Sequence, residues 1–211
     1  MAYDHAEQEQ LDELKAWWKR HGKLVILVVV AFFASLTAFQ GWRYYRATQA
    51  TAAVTLYGQL ERADQAGDGK KARAIAAQIV DKYGSTAYAV LASLVAARHA
   101  FAGGDLVEAK ARLQWVTEHA REEEIRDVAR LRLAAVLLDE KKYDEALKTL
   151  ETKPVDAMTG LYADLKGDIF LAQGKVPEAR SAYQLALDKS QADSPYRATL
   201  QLKLDSLGEA R

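Results

Sequence analysis

Cysteine is absent from this 211-residue sequence, and proline occurs only three times, at Pro154, Pro177 and Pro195. The absence of cysteine excludes disulfides, thiolate nucleophiles and metal sites that bind through sulfur. The scarcity of proline leaves long stretches in which nothing interrupts a helix. An excess of charge is also lacking, because 29 Lys and Arg residues balance 29 Asp and Glu residues. A neutral chain lacks the basic surface that binds nucleic acid, so we expect no nucleic-acid partner.

Patterns typical of catalysis and metal binding are missing as well. The four histidines, His5, His21, His99 and His119, are scattered, and none lies four residues from another histidine. A pair at that spacing on one helix would be needed for a compact zinc site. The sequence also contains no Gly-x-Ser-x-Gly nucleophile motif. We therefore predict that the protein is not an enzyme and has no metal site, cofactor or catalytic residue.

One long apolar run is present near the amino terminus. Residues 24–39 (LVILVVVAFFASLTAF) carry no charge, and eleven of these sixteen residues are Leu, Ile, Val or Phe. Extended through Trp42 the run has 19 residues. As a helix it would measure roughly 28 Å, about the hydrocarbon thickness of a bilayer. Its side chains favour insertion by about 5 kcal/mol. We predict one transmembrane helix over residues 24–42.

Aromatic and basic residues flank this run on both sides, as is typical of the two membrane interfaces. The predicted interface anchors are Trp17, Trp18, Lys19, Arg20, Lys23, Trp42, Arg43, Tyr44 and Tyr45. No small-x-small cleavage site directly follows the apolar run. We therefore predict a signal anchor that stays attached to the mature protein.

The distribution of Lys and Arg predicts the orientation of the span. Four such residues lie between positions 15 and 23, and two lie at positions 43 and 46. The positive-inside rule then places residues 1–23 in the cytoplasm as a short tail. Residues 43–211 would form a periplasmic domain, and the protein would be a single-pass protein of the inner membrane of a Gram-negative bacterium.

The cytoplasmic tail contains an amphipathic pattern. Leu11, Leu14, Trp17 and Trp18 recur at helical spacing between charged residues. Such a helix either lies in the lipid headgroup region and anchors the span or docks on a cytoplasmic partner, and the two roles are compatible. We therefore expect membrane lipid as one of the partners.

Beyond the span, a motif recurs at a nearly constant interval. A turn is followed five residues later by alanine in four places, at Ala72, Ala109, Ala146 and Ala179, which lie 37, 37 and 33 residues apart. This interval is close to the 34-residue period of tetratricopeptide repeats. The Ala-, Leu-, Lys- and Glu-rich composition favours helices. The pattern predicts an all-α solenoid of helical hairpins.

The last repeat unit shows the packing most clearly. Gly167 and Ala179 would let two antiparallel helices approach closely, while Phe170 and Tyr183 fill the groove beside them. The third unit departs from the pattern because Lys141 and Lys142 replace the usual Gly-Asp turn, and Pro154 ends its second helix early. The first unit has Leu60 at a position where a small residue is usual.

The hydrophobic periodicity predicts nine helical segments after the membrane span. They lie near residues 44–66, 70–82, 86–102, 106–119, 123–140, 143–151, 157–173, 177–190 and 195–207. The last would cap the stack, because a terminal repeat must cover the apolar face of its neighbour. No proline separates Trp42 from Ala66, so we expect the membrane helix to continue into the first repeat helix.

Several short motifs accompany the span and the repeats. The tail contains Leu14-Lys15-x-Trp17 followed by His21-Gly22-Lys23, and the end of the span reads Gly41-Trp42-Arg43-Tyr44-Tyr45. With these motifs the chain resembles, over its whole length, the YfgM family of ancillary subunits of the bacterial Sec translocon. The resemblance implies a protein that works beside the SecYEG channel with the membrane-anchored chaperone PpiD. Such a protein would assist unfolded, translocating proteins as they emerge.

Without the resemblance, the residues alone indicate only a membrane-anchored, protein-binding helical-repeat module. Another envelope assembly or regulatory scaffold, with a tail that contacts a cytoplasmic regulator, fits the same pattern. In either case the first helix of each hairpin would line a concave binding face. The residues predicted to point into this face are Tyr57, Glu61, Arg98, Phe101, Asp164 and Asp168.

Overall fold

The structure, a computed structural model, describes the backbone of residues 2–191 and 193–208 and, from Lys15 onward, their side chains. All regular structure in these residues is helical, which confirms the predicted all-α class. The helices are α1, Ala2–Gln65; α2, Gly69–Tyr83; α3, Ala87–Ala102; α4, Leu106–His119; α5, Glu123–Asp139; α6, Tyr143–Thr149; α7, Thr159–Ala172; α8, Val176–Lys189; and α9, Tyr196–Ser206. One 3₁₀ turn, Asp156–Met158, precedes α7.

The predicted bounds of α2 to α9 agree with the structure to within two residues at every helix end. Helix α6 ends at Thr149, five residues before Pro154, so the second helix of the third hairpin is short as predicted. Helix α1 is uninterrupted through residues 46–53, which confirms the predicted continuity of the helix. Leu11 and Leu14 of the predicted amphipathic stripe lie outside the described side chains.

The chain divides into two compact units, with the boundary between Gln49 and Ala50. In the first unit, the large apolar side chains of the predicted span are exposed; examples are Leu27, Phe32 and Phe33. Within the described residues, only α1, between Lys15 and Gln65, has the length and apolar composition to cross a membrane, and its most apolar window is not buried by any protein contact. A helix of a soluble core would be covered, so this helix anchors the protein in a membrane.

The second unit is a stack of helical hairpins whose core passes from one hairpin to the next. Successive apolar clusters join the end of α1 with α2 and α3, then α3 with α4 and α5, then α5 with α6 and α7. The last clusters join α7 with α8 and α9. Each cluster contains only neighbouring helices, which is the packing of a repeat solenoid. The cap prediction is confirmed, because Leu200 and Leu204 of α9 are buried against this end of the stack.

The four alanines that revealed the repeat are all completely buried. Four turns precede them, and in each turn one residue adopts a left-handed backbone with φ between 60° and 78°. Glycine adopts this conformation in three turns, at Gly67, Gly104 and Gly174, while Lys141 adopts it in the third hairpin. Because a side chain is unfavourable there, Lys141 shows that the turn geometry is imposed by the surrounding hairpin.

The packing of the last hairpin differs in one detail from the prediction. The space above Gly167 is filled by the ring of Tyr183, and a Cβ atom added at Gly167 would overlap two carbons of that ring. The prediction was that Gly167 and Ala179 allow the close approach and that Tyr183 fills the groove beside them. The aromatic ring lies between the helices because Gly167 has no side chain to exclude it.

A buried carboxylate holds the irregular segment after α6. Asp127 of α5 is fully buried and accepts hydrogen bonds from the Val155 backbone N–H (2.8 Å), the Tyr162 hydroxyl (3.1 Å) and the Arg130 guanidinium (2.7 Å). Arg130 also contacts Glu123 at 2.7 Å. The guanidinium groups of Arg126 and Arg130 lower the pKa of Glu123 to about 2. Helix α6 is too short to pack along the whole of α5. These polar contacts of Asp127 hold the segment after α6 in its place.

Candidate protein-binding surface

The residues predicted to lie at the membrane interfaces are exposed, including Trp17, Trp18, Trp42, Tyr44 and Tyr45. The Arg46 guanidinium lies over the Trp42 ring, 4.2 Å from its centroid. Such aromatic and cationic side chains provide an apolar surface with a charged end, which suits the headgroup region. Lys19, Arg20, Lys23 and Arg43 are exposed as well. Their role as interface anchors remains a prediction.

Near the first repeat, the structure brings one predicted binding residue into a polar cluster between α1 and α3. Arg98 donates a hydrogen bond to Asp64, and the His99 ring nitrogen Nε2 lies 2.6 Å from the same Asp64 oxygen. The hydrogen bond from Arg98, assisted by His99, lowers the pKa of the Asp64 carboxyl. The Arg98 side chain nevertheless remains 61% exposed. It therefore joins two repeats while still facing solvent.

Two further predicted residues lie on the last part of α1. Tyr57 packs against the first apolar cluster and contacts Tyr88, with 5.4 Å between the ring centroids. Burial is the main cause of the raised pKa of Tyr57. Glu61 is exposed. Tyr57 thus contributes mainly to packing between repeats, whereas Glu61 is accessible to solvent.

The two aspartates of α7 are already bound within the protein. Lys203 of α9 donates to Asp164 at 2.8 Å and to Asp168 at 2.7 Å. Tyr196 donates to Asp164, and Tyr183 donates to Asp168 at 2.7 Å. Burial alone would lower the pKa of Lys203, but its bonds to Asp164 and Asp168 raise it. Asp164 is only 7% exposed.

Asp164 therefore does not face an open surface, whereas the Asp168 side chain is still 33% exposed beside Lys203. Helix α9 covers this end of α7, and Lys203 supplies the positive charge that two adjacent carboxylates require when water is removed. Tyr196 and Lys203 were not among the predicted functional residues. The sequence could have indicated a role for Lys203, because this charged residue lies between Leu202 and Leu204 in the helix that was predicted to cover the end of the stack.

An apolar cleft of about 300 Å³ lies between the first helices of the second and third hairpins. Its lining includes Leu94, Arg98 and Phe101 of α3, Leu113 of α4, and Arg132 and Val136 of α5. Two of the predicted binding residues, Arg98 and Phe101, therefore meet at one site. Arg132 was not predicted. Only the folded structure places it at the same cleft as Arg98.

Among the described aromatic residues of the second unit, residues 50–211, Phe101 alone is exposed, at 44%, and it lies at the cleft. Leu113 and Val136 at the floor of the cleft are buried. The cleft thus combines an apolar floor with an aromatic edge and two exposed arginines. Among the residues that the structure describes, no three His, Asp or Glu side chains lie close enough together to hold a metal ion. The geometry suits the binding of a side chain of another protein.

Comparison with known proteins agrees with this fold. A family model described as a tetratricopeptide repeat-like domain matches residues 15–209. An ancillary SecYEG translocon subunit of Neisseria gonorrhoeae is 36% identical over 213 residues, which cover 98% of this chain and all of the relative. The chain belongs to this family.

Two other relatives have the same name and similar coverage. The ancillary SecYEG translocon subunit of Haemophilus influenzae is 33% identical over 88% of this chain and 91% of its own length. The protein of that name from Escherichia coli is 30% identical over 95% of this chain and 96% of its own length. The resemblance to the YfgM family of ancillary translocon subunits is therefore confirmed.

Proposed function

We propose that this protein is a membrane-anchored scaffold of the Sec translocon and that its repeat domain binds protein. The full-length similarity to ancillary SecYEG translocon subunits is the observation that carries the proposal. The repeat domain supports a role in binding, because stacked hairpins expose an extended surface and few deep cavities. In this proposal the protein assists the periplasmic handling of translocated proteins together with the chaperone PpiD, and it has no catalytic activity.

The proposed orientation has the amino terminus in the cytoplasm and the repeat domain in the periplasm. It rests on the four Lys and Arg residues before the span and the two after it. An alkaline phosphatase fused to the carboxyl terminus should be active, because this enzyme folds only outside the cytoplasm. An inactive fusion, with an active cytoplasmic reporter at the same site, would reverse the orientation.

The proposed binding surface is the cleft between α3 and α5, with Phe101 and Arg98 as its principal residues. Glu61 belongs to the same proposal as an exposed residue of the first repeat. Asp164 and Asp168 contribute indirectly, because their bonds to Lys203 hold α9 in place. An exposed aromatic ring beside an apolar floor is the type of site at which interface energy is concentrated.

Affinity purification of the tagged full-length chain in mild detergent tests the proposal. We expect the SecYEG channel subunits and PpiD to co-purify with it. Phe101→Ala should reduce recovery of a partner that binds the repeats, while Leu202→Ala, which removes another exposed apolar side chain, should not. Failure to recover any channel subunit would refute the translocon assignment. Equal recovery with both variants would refute the assignment of the cleft.

A further inference from the structure

The cleft between α3 and α5 also has a charge pattern that indicates its ligand. Among the residues that line it, two are arginines and none is acidic. The whole chain, by contrast, is neutral, with 29 positive and 29 negative residues. Asp64, outside the lining, pairs with Arg98, so the excess positive charge at the cleft is carried mainly by Arg132. Positive charge beside apolar surface favours a ligand that presents a carboxylate next to an apolar group.

Both arginines retain hydrogen-bonding capacity for such a ligand. Arg98 contacts Asp64 through one terminal nitrogen, Nη2, and a guanidinium group has five N–H donors in total. The Arg132 side chain is exposed and forms no ion pair with any side chain in the described part of the chain. A carboxylate that approached the cleft would therefore meet donors that no internal acid occupies.

The size of the cleft restricts the apolar part of the ligand. About 300 Å³ is at the lower limit of cavities that enclose small molecules. It accommodates one or two bulky side chains, whereas a long acyl chain would extend beyond it. Two arginines on different helices can each contact one carboxylate, so an internal segment with more than one acidic residue fits better than a single chain terminus.

We infer that the α3–α5 cleft binds extended protein segments in which bulky apolar residues are flanked by Asp or Glu side chains. This inference rests on the proposed protein-binding function and adds a sequence preference to it. The apolar side chain would occupy the floor formed by Leu113 and Val136, beside the Phe101 ring. The acidic side chains would pair with Arg98 and Arg132. Segments with Lys or Arg in the flanking positions would be repelled.

Fluorescence anisotropy with the full-length protein in detergent micelles tests the inference. The probe is a labelled, amidated ten-residue peptide of glycine and serine that contains two leucines flanked by two aspartates. Matched peptides replace the aspartates with asparagine or lysine, or the leucines with alanine. We expect the aspartate peptide to bind about ten-fold more tightly than the asparagine peptide. The lysine peptide and the alanine peptide should bind more weakly still.

Arg132→Glu is the most informative variant, because Arg132 has no internal ion pair whose loss would disturb the fold. It should weaken binding of the aspartate peptide about ten-fold and change binding of the asparagine peptide less than two-fold. Arg62→Glu, at an exposed arginine of α1 on the helix face opposite Asp64, is the matched control and should change neither. Circular dichroism should show unchanged helix content in both variants.

Three results would overturn the inference: equal binding of the aspartate and asparagine peptides, an aspartate preference that survives Arg132→Glu, or displacement of the peptide by dodecanoate at stoichiometric concentration. The last result would indicate a lipid-like ligand. None of these results affects recovery of SecYEG subunits in the affinity purification. A failure of the sequence preference is therefore distinguishable from a failure of the proposed function.

Discussion

The two units of this chain differ in how far their apolar side chains are buried by other parts of the protein. In the apolar run of α1, Leu27 is 68% exposed, whereas Leu60, near the end of the same helix, is completely buried. Leu60 is covered by α2 and α3. The residues around Leu27 have no protein neighbour that covers them. Burial by a bilayer in one unit and by neighbouring repeats in the other provides the same favourable removal of apolar surface from water.

The largest effect is expected from charging the membrane unit. Phe32→Arg combined with Leu36→Arg removes two favourable contributions and adds about 3 kcal/mol for each arginine. The total change of about 7 kcal/mol exceeds the estimated insertion free energy of about 5 kcal/mol. We expect the protein to leave the membrane fraction after carbonate extraction, while the thermal unfolding of its repeat domain is unchanged. The exchange of Phe32 and Leu36 for each other is the control and should leave the protein in the membrane.

In the repeat domain, the largest effect is expected at Asp127. Asp127→Ala leaves the buried Val155 N–H without its acceptor and removes the carboxylate bonds of Tyr162 and Arg130, which keep only the Asp127 carbonyl and Glu123. The loss should lower the free energy of unfolding by about 3 to 5 kcal/mol. Urea denaturation measures this change. Asp139→Ala, at an exposed aspartate of the same helix, should change stability by less than about 0.5 kcal/mol. A small effect at Asp127 would show that the irregular segment after α6 is held by other contacts.

A smaller effect is expected where two helices approach at Gly167. Gly167→Ala places a methyl group against the Tyr183 ring and should destabilise the domain by about 1 to 3 kcal/mol. Gly58→Ala is the control, because a Cβ atom there meets nothing within 4 Å. The control should be stabilising by about 0.5 to 1 kcal/mol, since alanine favours a helix. In a Tyr183→Leu background the cost of Gly167→Ala should fall, and an unchanged cost would contradict the contact.

The smallest effect concerns the beginning of the helices after the turns. Asp68 and Asp105 accept hydrogen bonds from the N–H groups of Lys71 and Glu108, but Lys175 provides no such cap for α8. Lys175→Asp should therefore stabilise the domain by about 1 kcal/mol, and Asp68→Lys should destabilise it by a similar amount. Differential scanning fluorimetry of both variants measures the difference. If both variants melted at the temperature of the unmodified protein, water would satisfy the N–H groups at these helix starts as well as an aspartate does.

Helix positions were predictable because the determinants are local. The turn residue and the alanine five positions later recur in every hairpin, and the apolar period between them is read directly from the sequence. The exposed span was predictable for the same reason, since its length and composition are properties of one segment. The unusual turn at Lys141 was also located correctly, because the buried Ala146 follows it at the same interval of five residues as in the other hairpins.

The binding residues were less predictable because they depend on contacts between repeats. Tyr57 and Asp164 lie on helix faces that a neighbouring helix covers, and no feature within one repeat distinguishes such a face from an open one. Arg132 was missed because its proximity to Arg98 arises only when α3 and α5 pack side by side. Where two repeats meet, tertiary packing decides which charged residues contact each other, and their spacing in the sequence does not show it.

Separating the two units tests the comparison most directly. The full-length chain and a fragment of residues 50–211 would be mixed with lipid vesicles and centrifuged in a density gradient, and the fragment would also be melted. We expect the full-length chain to float with the vesicles and the fragment to remain at the bottom, helical and with one cooperative unfolding transition. A fragment that floats, or that unfolds without a transition, would contradict the view that the repeats bury their own apolar surface and that only the α1 span requires the membrane.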